Sequence, residues 1–456
     1  MTGPTPAAAA RMIGLIAPGV LSVALMAAAP AQAPDVDQAF AKFWAARDPA
    51  AAERAAAAVV RSGAGFDEVL RRLKQGRPYA PDVPRGVVAG HRRAGLEGEF
   101  PYTLDVPPDY DPSRAYQVRV HLHGGVNRDR PAQAGRNGIG RLAGATQIYV
   151  IPGAWSSAPW WSDAQLDNLR SILDAVKRTY NVDEDRIVVS GVSDGGTGVY
   201  YVAMRDTTPY AAFLPLNAAI VVLRSPDIGV TGDLFPGNLR NKPFLVVNGG
   251  RDQLYPAAMV EPYLEHLRRG GVEITYLPQP EAGHDTSWWP QVREPFEAFV
   301  SAHPRDPMPD RLTWETSEPR TRGRAHWLLV DEVGSAPSGS PLPDLNELLV
   351  GTEQAMEKVP LFRHRRRPGR IDLARTGNVI EVQTRGVTQF TLLLSPDRIA
   401  FDRPVTIRVD GRVVFENAVE RRVETLMKWA ARDNDRRMLF AAEIRVRPGD
   451  GRVEAR

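Results

Sequence analysis

The chain has 456 residues, of which 43% are hydrophobic and 24% charged, a composition typical of a soluble globular protein with more than one domain. Its 57 lysines and arginines nearly balance 54 aspartates and glutamates, and a net charge of +3 argues against a protein that binds nucleic acid through its phosphates. The absence of cysteine excludes disulfide bonds and a lipid anchor on an N-terminal cysteine.

The N-terminus has the pattern of a secretory signal peptide. Arg11 precedes an apolar stretch at residues 12–29, and Ala31-Gln32-Ala33 then forms a small-residue cleavage site. A retained membrane anchor is the alternative, but a proline and a glycine interrupt the apolar run. We expect residues 1–33 to be cut off after Ala33. The mature protein would then be periplasmic or secreted, with no membrane partner.

Residues 34–99 favour helices. The stretch from Val36 to Lys74 is rich in alanine and has a break at residues 62–65. After the break, apolar side chains recur at helical spacing, beginning with Phe66 and Val69. We predict a small helical lead-in packed on the main domain, with a solvated spacer as the alternative.

Between residues 100 and 303, predicted strands alternate with predicted helices. The clearest helix runs from Gln165 to Tyr180 with Ser162 or Asp163 as its cap, and two more are predicted at residues 257–269 and 289–302. Short apolar runs predict strands at residues 118–122, 148–151, 187–190, 213–216, 244–248 and 274–277. This alternation is typical of an α/β fold whose mostly parallel sheet is covered by helices on both faces.

Prolines at positions 304, 307 and 309 mark a boundary, and residues 304–456 are dominated by strand patterns. Asp410-Gly411 predicts a hairpin turn, and one helix is predicted at residues 423–432. We expect an accessory mostly-β domain, so that a chain ending near His303 would keep its activity. The basic run Arg363–Arg367 indicates either a polyanion-binding patch or a solvated loop.

A serine among glycines connects a predicted strand to a helix-compatible segment. Gly191-Val192-Ser193-Asp194-Gly195 matches G-x-S-x-G, the strained turn that lifts a nucleophilic serine clear of a sheet edge. The glycines are needed because side chains on either side of so tight a turn would collide. We predict that Ser193 is a nucleophile. A tight turn with a buried hydroxyl is the alternative.

A serine hydroxyl needs a base, and the expected chain order on such a sheet is serine, acid, histidine. Asp252 follows one predicted strand and His284 the next, both at the edge where Ser193 must lie. We predict that His284 is the general base and that Asp252 orients its ring. Asp227 and Asp233, in the loop after an earlier strand, are rival acids.

The segment His121-Leu122-His123-Gly124-Gly125 ends the first clear strand. Such a turn brings a backbone N–H close to the nucleophile, so we predict an oxyanion hole made by the N–H of Asp194 and that of Gly125 or Val126. His121 and His123 lie on one face of the strand, which raises a metal site as an alternative. Because no third ligand lies nearby in sequence and the two glycines point to an oxyanion turn, we predict no metal site. The motifs imply no other cofactor.

Aromatic residues follow several of the same strands. We predict that they line an apolar substrate pocket, whereas packing against the core is the alternative. The predicted pocket residues are Trp160, Trp161, Tyr255 and Trp288.

The segment from about Phe100 to Val300 resembles an α/β-hydrolase, because HLHGG, GVSDGG, NGGRD and AGHD occur in that family's order. The stretch FPYTLDVPPDYDPSRAYQVRVHLHGG resembles the start of bacterial secreted esterases and predicted serine peptidases, among them polyhydroxybutyrate-depolymerase-like and feruloyl-esterase-like proteins. Residues 304–456 resemble an accessory β domain of some of these hydrolases. The absence of cysteine departs from the disulfide-bearing depolymerases.

Together, motifs and resemblance predict a secreted serine hydrolase that cleaves a small-molecule or polymeric carboxylic ester. Two alternatives remain open. One is a serine peptidase of the prolyl-oligopeptidase-like group with the same triad. The other is a catalytically inactive binding module in which the C-terminal domain carries the function.

Overall fold

The computed structural model describes residues 1–3, 35–93, 98–135, 139–335, 342–352 and 355–455. The apolar stretch and cleavage site of the predicted signal peptide lie outside these ranges. Within them, none of the helices combines the length and the apolar character that crossing a bilayer requires.

Three helices come first among the described elements: α1 (Val36–Trp44), α2 (Pro49–Arg61) and α3 (Phe66–Gln75). Asp48 caps α2 by accepting a hydrogen bond from the N–H of Ala51. The buried faces of the three helices do not join the core of the main sheet. They form a separate cluster with the helix at residues 423–433, in which Phe40 and Leu426 are fully buried.

Eight of the described strands form the main sheet. They are β1 (Gly86–Arg93), β2 (Glu99–Val106), β3 (Tyr116–Leu122), β4 (Ile148–Pro152), β5 (Val182–Val192), β6 (Ala212–Leu216), β7 (Phe244–Gly249) and β8 (Ile274–Gln279). Their spatial order is β1-β2-β4-β3-β5-β6-β7-β8. The pairs β1–β2 and β2–β4 are antiparallel, and all other pairs are parallel. The predicted α/β fold with a mostly parallel sheet is confirmed.

Strand β1 was not expected from the sequence. It pairs with β2 along its whole length, from Gly86 opposite Val106 to Arg93 opposite Glu99. The predicted boundary at residue 99 therefore falls inside a hairpin, and residues 86–93 belong to the main sheet rather than to the helical lead-in. An edge strand with one solvated face needs few apolar residues, which is why its pattern was weak.

Helices cover both faces of this sheet. They are α4 (Ile139–Leu142), α5 (Asp163–Thr179), α6 (Asp194–Arg205), α7 (Ala257–Arg269) and α8 (Trp289–Ala302). Helices α5, α6 and α7 bury side chains such as Leu169 and Leu264 in one core cluster, whereas α4 and α8 bury Leu142 and Phe296 in another. Ser162 caps α5 by accepting from the N–H of Gln165.

The C-terminal region, residues 304–456, is mostly β. Its elements are β9 (Arg311–Thr316), α9 (Pro319–Arg322), β10 (Arg324–Ala325), β11 (Leu328–Val333), β12 (Glu347–Thr352), β13 (Ala355–Pro360), β14 (Gly369–Thr376), β15 (Val379–Arg385), β16 (Val387–Leu394), β17 (Val405–Val409), β18 (Arg412–Asn417), α10 (Val423–Asp433), β19 (Ala442–Arg447) and β20 (Arg452–Ala455). Two five-stranded sheets share one apolar core, with orders β10-β11-β16-β19-β20 and β18-β17-β15-β14-β9. Asp410 and Gly411, both with positive φ, join β17 to β18 as the hairpin signal predicts.

The C-terminal region is joined to the rest of the chain by buried polar contacts. Arg305 is fully buried, and its guanidinium donates hydrogen bonds to the carboxylates of Asp185 on β5 and Asp435 after α10. The side chain of Asn238 accepts from the N–H of Glu315 on β9 and donates to its carbonyl oxygen. Because these contacts are desolvated, removing one side leaves polar groups unpaired in the interior.

We therefore expect a chain ending at His303 to be insoluble, contrary to what the proline-rich boundary suggests. It would lack Arg305 and would expose the apolar face that α1–α3 bury against α10. Breaking a buried ion pair alone costs about 3–5 kcal/mol, against a typical total stability of about 5–15 kcal/mol. Soluble yield and gel filtration test this expectation. A chain ending at Arg447, which loses only the edge strand β20, is the control. A soluble, monodisperse and active shorter chain would contradict it.

Candidate active site

Ser193 lies in a strained turn between β5 and α6. Its φ of 58° and ψ of −122° are unfavourable for a residue with a side chain. The surrounding structure holds the turn at both ends. The N–H of Ser193 donates to the carbonyl oxygen of Leu216 at 3.0 Å, and its own carbonyl accepts from the N–H of Thr197 at 2.9 Å. The turn therefore presents the hydroxyl at the carboxyl end of the parallel strands.

The two glycines of the G-x-S-x-G motif are required by space. A Cβ atom on Gly191 would collide with the backbone of Gly195, and one on Gly195 would collide with the carbonyl oxygen of Leu122 on β3. The turn thus packs so closely on itself and on the neighbouring strand that no side chain fits at either position.

Ser193, His284 and Asp252 form one hydrogen-bonded chain. His284 Nε2 lies 2.9 Å from Ser193 Oγ, and His284 Nδ1 lies 2.7 Å from Asp252 Oδ2. The Asp252 side chain is completely buried, and its other oxygen accepts from the N–H groups of Leu254 and Tyr255. A carboxylate fixed in this way keeps the proton of the imidazole on Nδ1, so that Nε2 is free to accept the serine proton.

The rival acids lie elsewhere. Asp233 is buried, and its carboxylate accepts from the N–H groups of Arg365 and Arg366 and from the hydroxyl of Ser317. Asp227 is exposed in the loop after β6. Asp233 therefore anchors the backbone of the basic run, while the four arginine side chains of that run stay exposed.

A glycine turn packs against Ser193. A Cβ atom on Gly124 would lie 3.0 Å from the Cβ of Ser193, and Gly125 has a φ of 68°. Asp194 is the first residue of α6, and the first N–H groups of a helix have no acceptor within the helix. The N–H of Val126 is already bonded to the Asp194 carboxylate at 2.9 Å, so Gly125 is the better placed of the two predicted donors.

The two histidines of the HLHGG segment are both hydrogen-bonded within the protein. His123 Nδ1 donates to the carbonyl oxygen of Gly124, while its Nε2 accepts from the N–H of Ala154. Burial lowers the pKa of His123 to about 4, so the ring is neutral and can donate one hydrogen bond while it accepts the other. Because the Gly124 carbonyl belongs to the same peptide as the Gly125 N–H, this bond orients the predicted oxyanion donor. His121 is fully buried against Ser190 Oγ.

The prediction that three tryptophans line the pocket is wrong. Trp160, Trp161 and Trp288 are each at most 5% exposed. The indole of Trp160 donates to the carbonyl oxygen of His123 at 2.8 Å, and that of Trp161 donates to the carbonyl oxygen of Ile228. Trp288 packs in the core cluster beneath α8. Their large apolar rings are therefore packed in the protein interior and do not face a pocket.

Tyr255 is the predicted pocket residue that does lie at the site. Its ring stands edge-on to His284, with centroids 5.3 Å apart. Burial and the nearby Asp194 carboxylate raise the pKa of its phenol, although interactions with the hydroxyls of Ser193 and Thr197 partly oppose this. The phenol therefore lies beside Ser193 as a protonated group that can donate a hydrogen bond.

Sequence reasoning missed Asn217, at the end of β6. It is fully buried and has a φ of 45°. Its amide nitrogen donates to the carbonyl oxygen of Asp285 at 2.6 Å, and its amide oxygen accepts from the N–H of Gly249 at 3.2 Å. Asn217 thus ties the loop that carries His284 to the loop that carries Asp252. An asparagine directly after a strand is a signal for left-handed backbone, and this signal could have indicated the structural role of Asn217.

We expect Asn217→Ala to lower kcat about 10- to 100-fold, because a catalytic group displaced by about 1 Å can cost that much. Asn241→Ala is the matched control. Its side-chain amide likewise bonds to the backbone, donating to the carbonyl oxygens of Asn238 and Thr313 and accepting from the N–H of Thr313, but it does so away from the triad. Kinetics on protein of verified folded fraction would show the difference. Equal losses of kcat in the two variants would mean that Asn217 has no special role in positioning.

Comparisons with known proteins give similarity in structure alone. No family model matches the chain, and no curated protein matches its sequence. Among solved structures, it is similar to a thermostable esterase at 22% identity and TM-score 0.39, covering 48% of this chain and 63% of that one. It is also similar to esterase 2 of Thermogutta terrifontis, at 18% identity and TM-score 0.40, covering 49% of this chain and 97% of that one. The similarity to S-formylglutathione hydrolase of Staphylococcus aureus has 16% identity and TM-score 0.36, and it covers 48% of this chain and 98% of that one. Such values say nothing of substrate or reaction.

Proposed function

We propose that this protein is a serine hydrolase that cleaves a carboxylic ester through an acyl-enzyme. The observation that carries the proposal is the unbroken chain of hydrogen bonds from Ser193 through His284 to the buried Asp252. It starts at a strained turn whose neighbouring glycine turn offers backbone N–H groups. The strained turn and the buried carboxylate both cost free energy of folding. Nucleophilic catalysis by a serine needs this arrangement of hydroxyl, base and acid.

Each group has one role in the proposed reaction. His284 Nε2 takes the proton of Ser193 as Oγ attacks the ester carbonyl carbon. The N–H groups of Asp194 and Gly125 hold the oxyanion of the tetrahedral intermediate. His284 then gives the proton to the departing alcohol, and a water molecule repeats the sequence on the acyl-serine. Asp252 stays ionised and stabilises the imidazolium.

Ester hydrolysis is favoured over peptide hydrolysis on chemical grounds. An amine departs only when it is protonated, and a peptide must be held through several subsites before an amide bond reacts efficiently. One large apolar side chain, Leu254, is 61% exposed close to the triad, directly after Asp252 and Gln253. An exposed leucine beside the site suits contact with an apolar acyl or aryl group.

We expect kcat/KM for an ester to exceed that for a matched amide by at least about three orders of magnitude, or about 4 kcal/mol in barrier. The matched pair is a p-nitrophenyl ester and the p-nitroanilide of the same acyl group, with Ser193→Ala as the blank. Efficient amide cleavage with weak ester turnover would favour the peptidase. If neither compound is cleaved and a fluorophosphonate does not label the protein, the result would favour the inactive binding module.

A further inference from the structure

A groove of about 1010 Å³ runs along one side of α7. Helix α7 forms one wall, the hairpin β12–β13 forms another, and Val221 of the 3₁₀ helix at residues 220–224 also lines the groove. We call it the α7 groove. Its apolar lining includes Val221, Met259, Leu348, Leu349 and Val350. Its volume is that of a site for a sizeable organic ligand.

The hairpin that walls the groove is attached to the main-sheet core rather than to the β sandwich. Strands β12 and β13 pair only with each other among the described strands. Leu345 and Leu348 are buried in the same cluster as Leu264 of α7, not in the sandwich core. His266 on α7 also bonds through Nε2 to the carbonyl oxygen of Leu345 at 2.9 Å. The C-terminal region thus contributes one fixed wall beside the catalytic fold.

The α7 groove comes close to the triad along the chain, because its first lining residue on α7, Ala258, lies three residues after Tyr255. Helix α7 starts at Ala257, two residues after Tyr255, whose ring contacts His284. Tyr255, Met259 and Val221 are half-buried against the same core cluster. The loop that holds the catalytic acid therefore leads directly into the wall of the groove.

The groove leaves apolar side chains in water. Leu349 and Val350 on the hairpin are 62% and 52% exposed. The cations at its rim already have partners, since Lys358 pairs with Glu347 and Arg269 pairs with Glu265. An uncharged apolar ligand would cover the exposed carbons and would need no new counter-ion.

We propose that the α7 groove binds the acyl chain of the substrate, and that this chain is a medium-length or long aliphatic group. The inference rests on the proposed ester hydrolysis. It assigns the hairpin β12–β13 of the C-terminal region a direct part in substrate selection. Each methylene that leaves water contributes to binding, so kcat/KM should rise with chain length, by about 100-fold from acetyl to octanoyl.

The test compares p-nitrophenyl acetate with p-nitrophenyl octanoate in wild type, Leu349→Asp and Val350→Asp. Both positions are exposed, so the variants should fold. The control is Val413→Asp, because Val413 on β18 is also 52% exposed but lies outside the groove. In the two groove variants, we expect kcat/KM for octanoate to fall about 10-fold while that for acetate stays unchanged, because a charge in the groove opposes burial of the chain. The control should change neither value.

Three results would overturn the inference. The first is turnover of both esters with no chain-length preference. The second is a preference that survives in both groove variants. The third is a loss of octanoate turnover in the Val413→Asp control as large as that in the groove variants. In all three the proposed hydrolase activity still stands. If wild type hydrolyses neither the acetate nor the octanoate ester, the proposed function itself is wrong.

Discussion

A Ser193→Ala variant is expected to lose about six orders of magnitude in kcat on a p-nitrophenyl ester. The expectation rests on the geometry of the strained turn. Ser193 Oγ lies 2.9 Å from His284 Nε2, and alanine leaves the base with no hydroxyl to deprotonate. Groups that act as one unit lose almost all of their effect when the nucleophile is removed, while the oxyanion donors keep a small residual rate.

Labelling with a fluorophosphonate separates this result from simple unfolding. Wild type should be labelled at Ser193, and Ser193→Ala should not be labelled although its thermal transition is unchanged. Ser287→Ala is the matched control, because Ser287 lies three residues after His284 but outside the hydrogen-bonded chain. Equal labelling of wild type and Ser193→Ala would show that another residue is the nucleophile.

An Asp252→Asn variant is expected to lower kcat by about four orders of magnitude. Asp252 accepts three hydrogen bonds, one from His284 Nδ1 and two from backbone N–H groups. An amide facing Nδ1 favours the tautomer that carries its proton on Nε2, and such an imidazole cannot accept the proton of Ser193. The side chain has almost the same shape, so the loss reflects charge and tautomer rather than packing.

The rival acids provide the controls. Asp233→Asn should lower the melting temperature, since the buried carboxylate holds the backbone of residues 365 and 366, but kcat of the folded fraction should stay the same. Asp227→Asn should change neither property, because the side chain is exposed. A larger loss of kcat in either variant than in Asp252→Asn would mean that the acid is assigned wrongly.

The sequence by itself determined the features that depend on local chemistry. The turn at Ser193 needs glycine at position 191 because a side chain there would collide with Gly195, four residues away, so a short motif carries the information. Helix α7 matches its predicted bounds, since a helix is set by periodicity and by the turns at its ends. The carboxyl ends of parallel strands meet at one edge, so chain order alone predicted that Ser193, Asp252 and His284 come together.

Only the tertiary structure decided what each side chain faces. Trp160 follows a strand just as a pocket residue would, and its burial depends on space beside α6 that no local pattern records. Asn217 matters because it joins two loops that are distant in sequence. The C-terminal region was expected to be independent, yet α10 completes the core of the N-terminal helices and the hairpin β12–β13 packs on the main-sheet core. Burial and long-range hydrogen bonds are properties of the assembled chain, because each depends on residues that only folding brings into contact.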